Sequence, residues 1–271
     1  MPELPEVETT CRGIAPYVVG KTVTGVIVRQ RQLRWPVPKG LQRKLTGHKV
    51  ERLERRAKYI LFRFQHGCLI LHLGMSGSLR IVTGDRPPEK HDHIDIEFDS
   101  GARLRFRDPR RFGSLHWTVA NPLQHQLLAH LGPEPLGYDF NADYLYRKSR
   151  GRKQAVKTFI MDSRIVVGIG NIYASEALYL SDILPRKAAG RLSKARCEIL
   201  VQAIKAVLQK AIAAGGTTIR DFASGKGQPG YFSLELKVYD RAGEACERCG
   251  SPIKQLRIGQ RSTFYCSKCQ K

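Results

Sequence analysis

The chain reads as an α+β protein: an antiparallel β domain, sandwich or barrel, then a helical domain, then a metal-held β-hairpin. Three observations predict this order. From Thr22 to about Thr118 the residues alternate in strand fashion between glycine and proline turns. After Leu131-Gly132-Pro133-Glu134-Pro135 the apolar residues take on helical spacing. The last stretch carries Cys246-x2-Cys249-x16-Cys266-x2-Cys269, two Cys-x-x-Cys knuckles at a spacing that suits one tetrahedral zinc ion.

The elements follow in order. Pro5 at a first helical position, with Glu6 and Glu8 behind it, marks a helix start. Strands are predicted over residues 22–28, 59–64, 69–73 and 93–98. Helical stretches are predicted near 142–150, 154–161 and 171–181. A longer helix, 196–214, has Ile199, Leu200, Ala203, Ile204, Val207, Leu208 and Ile212 on one broad stripe. Ser251 to Tyr265 reads as a hairpin turning at Gly259-Gln260-Arg261. It is too small to bury a core, so the metal is expected to hold it and to stiffen the tip that carries Arg261. A purely structural zinc staple accounts equally well for the four cysteines.

Composition points to the partner. The 271 residues hold 46 Lys plus Arg against 24 Asp plus Glu, a net charge of +22. That excess is beyond what solubility needs and attracts a polyanion with salt-dependent affinity. No signal peptide, membrane-spanning apolar run or basic amphipathic tail favours a membrane surface as that polyanion. Cys11, Cys68 and Cys197 stand isolated, as in a reducing compartment. Nucleic acid in the cytosol is therefore the expected partner.

The N-terminus, Met1-Pro2-Glu3-Leu4-Pro5-Glu6-Val7-Glu8, offers reactive chemistry. If Met1 is removed, Pro2 becomes a secondary amine tethered beside a helix start. An α-amine titrates at about 7.7–8.0, so a useful fraction is an unprotonated nucleophile near neutrality. Attack on a sugar aldehyde carbon gives an iminium directly, an electron sink for elimination. Glu3 beside it can exchange protons. Taken by itself, the segment also reads as a plain start followed by a capped helix.

Four further segments accompany it: His72-Leu73-Gly74-Met75-Ser76-Gly77, Asp108-Pro109-Arg110-Arg111-Phe112-Gly113, the run from Val167 to Glu176 around Gly168-x-Gly170-Asn171, and the four-cysteine hairpin. Together, in this order from residue 2 to 271, they closely resemble the formamidopyrimidine-DNA glycosylases, bacterial enzymes that excise oxidised purines and cut the abasic strand. The resemblance implies a catalytic β-sandwich over 1–132, a helix–two-turn–helix DNA-binding domain over 133–232 and a zinc hairpin over 233–271. It implies one structural Zn2+ on Cys246, Cys249, Cys266 and Cys269. The expected partner becomes double-stranded DNA with oxidised purines or abasic sites, met by a monomer in the bacterial cytoplasm.

Residue roles follow from the same resemblance. Pro2 is the expected nucleophile and Glu3 the acid for base loss and sugar opening. Lys58 matches the lysine of β-elimination, and Arg261 the arginine of δ-elimination that also grips phosphates. Cations near a developing phosphate leaving group stabilise it, so the chemistry agrees. Flipping a nucleotide leaves a hole, which Met75, Arg110 and Phe112 are expected to fill. Met75 is flexible, Phe112 can wedge into the stack, and Arg110 can bond the orphaned cytosine. Met75 and Phe112 also read as core residues at strand ends, although a buried aromatic is less expected in the Arg-Arg-Phe-Gly turn.

Asn171 matches a phosphate ligand at a helix start. His91 and Arg152 match further DNA contacts. Lys157 and the loop Gly215 to Arg220 match elements that cover the flipped base, with a lysine more usual at Arg220. The Gly-x-Gly piece lacks the third glycine and β-α-β setting of a dinucleotide site. His91-Asp92-His93 is weak as a metal site. Two other readings compete: an endonuclease VIII-like enzyme for oxidised pyrimidines, and a non-catalytic zinc-ribbon protein. Leu4 after Pro2-Glu3, and the Met75, Arg110 and Phe112 set, favour the purine enzyme over the first. Pro2, Glu3 and Lys58 would stand idle in the second.

Overall fold

The computed structural model describes residues 2–215 and 236–271. The chain divides into two compact units, and the described residues place 2–129 and 215 in the first and 130–214 with 236–271 in the second.

The first unit begins with α1 (Leu4–Val18), which opens on a capping box between Glu3 and Glu6. Val7, Cys11, Ile14 and Val18 recur every three or four residues and bury one face. There follow β1 (Val23–Val28), the short α2 (Leu41–Leu45), β2 (Arg52–Arg56), β3 (Tyr59–Phe64), β4 (Gly67–His72), β5 (Ser78–Val82), β6 (Asp92–Phe98), β7 (Arg103–Arg107) and β8 (Ser114–Thr118). They form two four-stranded sheets, β1-β6-β7-β5 and β2-β3-β4-β8, antiparallel throughout. Val26, Ile94, Ile96, Leu104 and Phe106 of one sheet share a core with Ile60, Phe62, Leu69, Leu71 and Leu115 of the other. The α1 stripe joins the same core, so the unit is a sandwich with a helix packed on it.

The first sheet also holds a buried ionic layer. Arg105 is 3% exposed and donates to both oxygens of Asp95, at 2.9 and 3.0 Å. Asp95 in turn accepts Arg29 at 2.7 Å. Burial works against the Asp95 charge, but the two guanidinium groups hold its carboxyl below the usual carboxylate range. Arg105 further donates to the Arg86 and Pro87 carbonyls and so ties down the stretch that leads to His91.

The second unit contains α3 (Ala142–Ser149), α4 (Val156–Ile160), α5 (Asn171–Leu180) and α6 (Lys194–Ala213). Asn141 and Ser193 cap α3 and α6 through their side-chain oxygens. α5 is buried from Ile172 through Tyr179 and forms the centre of the helical core, which includes Phe140, Phe159, Leu200 and Ile204. On α6 the buried face runs through Cys197, Leu200, Val201, Ala203, Ile204, Leu208 and Ala211. Ile199 lies outside it and is 44% exposed, a departure from the stripe expected from spacing.

β9 (Lys254–Ile258) and β10 (Arg261–Tyr265) pair antiparallel around a two-residue turn. Gly259 and Gln260 both have positive φ, 55° and 64°, as a type I′ hairpin requires. Arg261 thus opens the return strand rather than sitting within the turn. The hairpin has a small core of its own, in which Val238, Ile253 and Phe264 meet Tyr179 of α5.

Candidate active site

At the head of α1, Pro2 is buried and Glu3 is 2% exposed. The Glu6 carboxylate accepts the Glu3 N–H at 2.8 Å, and the Glu3 carboxylate faces back on the Glu6 amide. Pro2 therefore sits directly before the N-cap of α1, beside the Glu3 and Glu6 carboxylates.

One turn further along α1, Glu8 accepts Arg55 of β2 at 2.7 Å and Arg12 at 2.7 Å. Burial opposes the Glu8 charge, yet the bonds from Arg55 and Arg12 keep its carboxyl below the ordinary range. Arg55 also donates to the Ala57 carbonyl at 3.0 Å. Ala57 has φ 54°, a left-handed conformation uncommon for a residue with a Cβ, and it turns the chain from β2 into β3 at Lys58. The helix that begins at Pro2 and Glu3 thus holds the turn that carries Lys58.

His72 belongs to this neighbourhood, and sequence reasoning assigned it no role. Its ring lies 4.7 Å from that of Tyr59, its partner across β3 and β4. Nδ1 accepts the Gly74 N–H at 2.9 Å, which leaves the ring proton on Nε2. Burial, then the charges of Lys58, Arg34 and His116, push the imidazole down to about 4. It is a neutral donor beside Lys58 at neutral pH. Its place three residues before Met75 was the available signal.

The expected wedge residues stand on two turns. Phe112 is 42% exposed, which excludes the core reading for it, and the Arg110 guanidinium lies over its ring at 4.8 Å. Met75 is half-buried. Gly74, at φ 70°, explains how closely the turns approach: a Cβ there would lie 2.4 Å from the Phe112 carbonyl carbon and the Gly113 nitrogen. The fully buried Asp108 fastens both turns. Its Oδ1 accepts the Ser76 hydroxyl at 2.8 Å and its Oδ2 the Gly113 N–H at 2.7 Å. His91 joins through its backbone, since its carbonyl accepts the Asp108 N–H at 3.1 Å.

In the second unit, Ser262 gathers three of the expected residues. Its carbonyl accepts Lys157 Nζ at 3.0 Å and Asn171 Nδ2 at 3.0 Å, and Arg261 immediately precedes it. Lys157 is 1% exposed and also donates to Thr263 Oγ1 at 2.8 Å. Its ammonium is turned into the protein, where it fixes β10. Asn171 opens α5 with Gly170 as its N-cap. Arg152 is exposed and stands apart from this cluster, its backbone tied to Ser149 and Gly190. The loop expected over a flipped base lies, from Gly216 to Arg220, outside the described residues.

The sulfurs of Cys246, Cys249, Cys266 and Cys269 all lie within 4.8 Å of one another. Two of the separations are 3.5 and 3.9 Å. Tetrahedral zinc with Zn–S bonds of about 2.3 Å needs sulfurs about 3.8 Å apart, so the donor set and its spacing fit that ion. Hydrogen bonds from Ser251 bring Cys249 down to about 6, and the Tyr179 hydroxyl lies 3.2 Å from Cys246 Sγ.

A sandwich with an exposed Arg–Phe turn, a helical unit and a four-cysteine hairpin are the three parts that the resemblance in sequence implies. The comparisons with known proteins agree. The formamidopyrimidine-DNA glycosylase N-terminal domain matches residues 1–115, the formamidopyrimidine-DNA glycosylase H2TH domain 131–223, and the zinc finger found in FPG and IleRS 243–271. Formamidopyrimidine-DNA glycosylases of Stutzerimonas stutzeri and Syntrophotalea carbinolica are 58% and 57% identical, each over the whole of both chains. Among solved structures, a Lactococcus lactis Fpg in complex with abasic-site DNA is 34% identical with a TM-score of 0.91, covering 99% of each chain. The Thermus thermophilus MutM (Fpg) protein is 33% identical with a TM-score of 0.89, over 99% of this chain and 98% of that one. The chain belongs to the formamidopyrimidine-DNA glycosylase family.

Proposed function

We propose that this protein is a bifunctional base-excision enzyme that removes oxidised purines, 8-oxoguanine and formamidopyrimidines, from duplex DNA and then cuts the abasic strand. The observation that carries the reading is the head of α1: Pro2 at a capped helix start, with the Lys58 turn held to the same helix through Glu8 and Arg55.

The chemistry follows from Pro2 freed of Met1. Its nitrogen lone pair attacks C1′ of the lesion's sugar, the glycosidic bond breaks, and the base leaves with that electron pair and a proton. Glu3 supplies a proton to the sugar ring oxygen as the ring opens, which leaves an iminium between Pro2 and C1′. The cation acidifies C2′. Loss of that proton pushes electrons toward C3′, and the 3′ phosphate departs by β-elimination. A second elimination expels the 5′ phosphate. Lys58 assists the first departure and Arg261 the second by stabilising charge on the leaving phosphates.

Met75, Arg110 and Phe112 fill the vacated stack and read the opposing cytosine, while His91, Arg152 and Asn171 contact the backbone. Lys157 contributes by holding Ser262 beside Arg261. The four cysteines hold one zinc ion, which when bound supplies folding energy to the hairpin. Three segments, 1–132, 133–232 and 233–271, divide these tasks. The protein acts as a monomer on DNA in the cytoplasm; no described helix is long and apolar enough to cross a membrane.

The test compares protein freed of Met1 with protein whose Pro2 nitrogen is blocked by a retained Met1, on a duplex with 8-oxoguanine opposite cytosine. The freed form is expected to excise and cut, and the blocked form to bind without cutting. Equal cutting by both refutes the amine assignment.

A further inference from the structure

Asp108 makes more contacts than a turn residue needs. Both carboxylate oxygens accept hydrogen bonds, one from the Ser76 hydroxyl at 2.8 Å and one from the Gly113 amide at 2.7 Å. Its carbonyl accepts the Arg111 N–H at 3.1 Å and lies 2.8 Å from His93 Nε2, which must carry the ring proton to donate there. The Ser76 hydroxyl works in two directions, donating to Asp108 and accepting the Arg110 N–H at 3.1 Å. A single buried side chain therefore joins the turn after Met75 to the turn that presents Arg110 and Phe112. The space around it is closed as well. A Cβ on Gly113 would come within 2.6 Å of Phe106 and 3.0 Å of Asp108 Oδ2, and one on Gly77 within 2.1 Å of the Leu73 carbonyl oxygen. Arg111, at φ 56°, holds a left-handed conformation between the two residues that reach out.

We propose that the Asp108–Ser76 pair is a positioning device that locks Met75, Arg110 and Phe112 into one rigid unit, so that void filling and opposite-base reading occur together. The inference rests on the reading of these three residues given under Proposed function. Neither Asp108 nor Ser76 needs to touch DNA for this. A buried charged acceptor bonded to two turns costs free energy when one donor is deleted, so separating the turns is disfavoured. Inserting a wedge demands such stiffness, since side chains that move independently would each pay their own ordering entropy on binding. Ser76 is the informative position, because its hydroxyl carries the link between the turns while Asp108 keeps its bond to Gly113.

The experiment uses the full-length, Met1-free, zinc-loaded protein and two substrates. The first is a duplex with 8-oxoguanine opposite each of the four bases, and the second a single-stranded oligonucleotide with an abasic site, which needs no wedge. Ser76→Ala is expected to slow single-turnover excision opposite cytosine about tenfold and to shrink the preference for cytosine, the size expected for one lost bond to a charged group. Strand cutting on the single strand should stay within about twofold of wild type. Ser76→Thr, which keeps the hydroxyl, should restore both duplex excision and the preference. Unchanged duplex excision by Ser76→Ala, or equal losses on both substrates, overturns the positioning role. A wild-type protein that leaves the lesion duplex intact overturns the functional reading instead, so the two failures are distinguishable.

Discussion

The turns that carry Met75, Arg110 and Phe112 in the first unit and the hairpin tip of the second each present an arginine, and they are held in opposite ways. Arg110 stands on a turn whose rigidity comes from a sandwich core and one buried carboxylate, with bonds from Ser76 and Gly113. Arg261 stands on a two-stranded hairpin whose few buried residues are Val238, Ile253, Phe264 and their neighbours. That hairpin borrows its stiffness from four sulfurs and from Lys157 and Asn171 on the Ser262 carbonyl. The difference teaches where each can fail. A turn on a large core loses precision when a bond is cut, whereas a hairpin on a small core loses its fold when the metal goes.

Zinc removal should break the comparison most sharply. Chelation, or Cys249→Ser, should unfold the hairpin and weaken binding to lesion duplex by about 100-fold or more, since structural zinc supplies about 10–16 kcal/mol to such modules. Fluorescence anisotropy against bound zinc, with a separate melting curve for the sandwich, checks this. Affinity that survives zinc loss would mean that the hairpin contributes little to the interface.

Lys157→Met probes the same tip more gently. The apolar replacement fills similar volume, but the Ser262 carbonyl and the buried Thr263 hydroxyl lose the ammonium that donates to them, so the second unit should melt lower by about 1–3 kcal/mol. The Ser262 carbonyl loses one donor and Arg261 its fixed base. The second elimination should slow about five- to tenfold, the cost of one charged hydrogen bond, with β-elimination product accumulating on a gel. An unchanged product ratio would show that Asn171 holds the tip without it.

A pH slope in stability is expected from His72. Its folded value of about 4 lies below the ordinary 6.5, so the folded state binds fewer protons than the unfolded state between those values. Stability should rise with pH across that window and be lost as pH falls through it. Urea unfolding at several pH values should show this part of the slope vanish in His72→Gln. A slope that persists unchanged belongs to other groups.

Much of this was legible in the sequence, and the rest was hidden for identifiable reasons. The cysteine spacing, the strands around residues 59–64 and 93–98, and the α3 and α5 helices announce themselves through spacing and alternation. β7 hides better, because Arg103, Arg105 and Arg107 read as a solvated face, whereas Arg105 is buried against Asp95 and Asp92. Hydropathy cannot see a paired charge. The exposure of Ile199 was hidden because spacing gives a helix face but not which residues meet a neighbour. Phe112 could be suspected as exposed from its turn chemistry. The inward ammonium of Lys157 could not, since its partners Ser262 and Thr263 are over a hundred residues away in sequence. Asp108 was visible only as part of a motif, and its links to Ser76 and Gly113 required coordinates.

The central claim is that Pro2 is the nucleophile, and borohydride trapping tests it most directly. Met1-free, zinc-loaded protein is mixed with a duplex carrying 8-oxoguanine opposite cytosine, reduced, and digested for peptide mass mapping. An imine caught in turnover becomes a stable bond, so the account predicts sugar-linked DNA on the peptide that begins with Pro2. No adduct, or one that maps to Lys58 or another lysine, would contradict it.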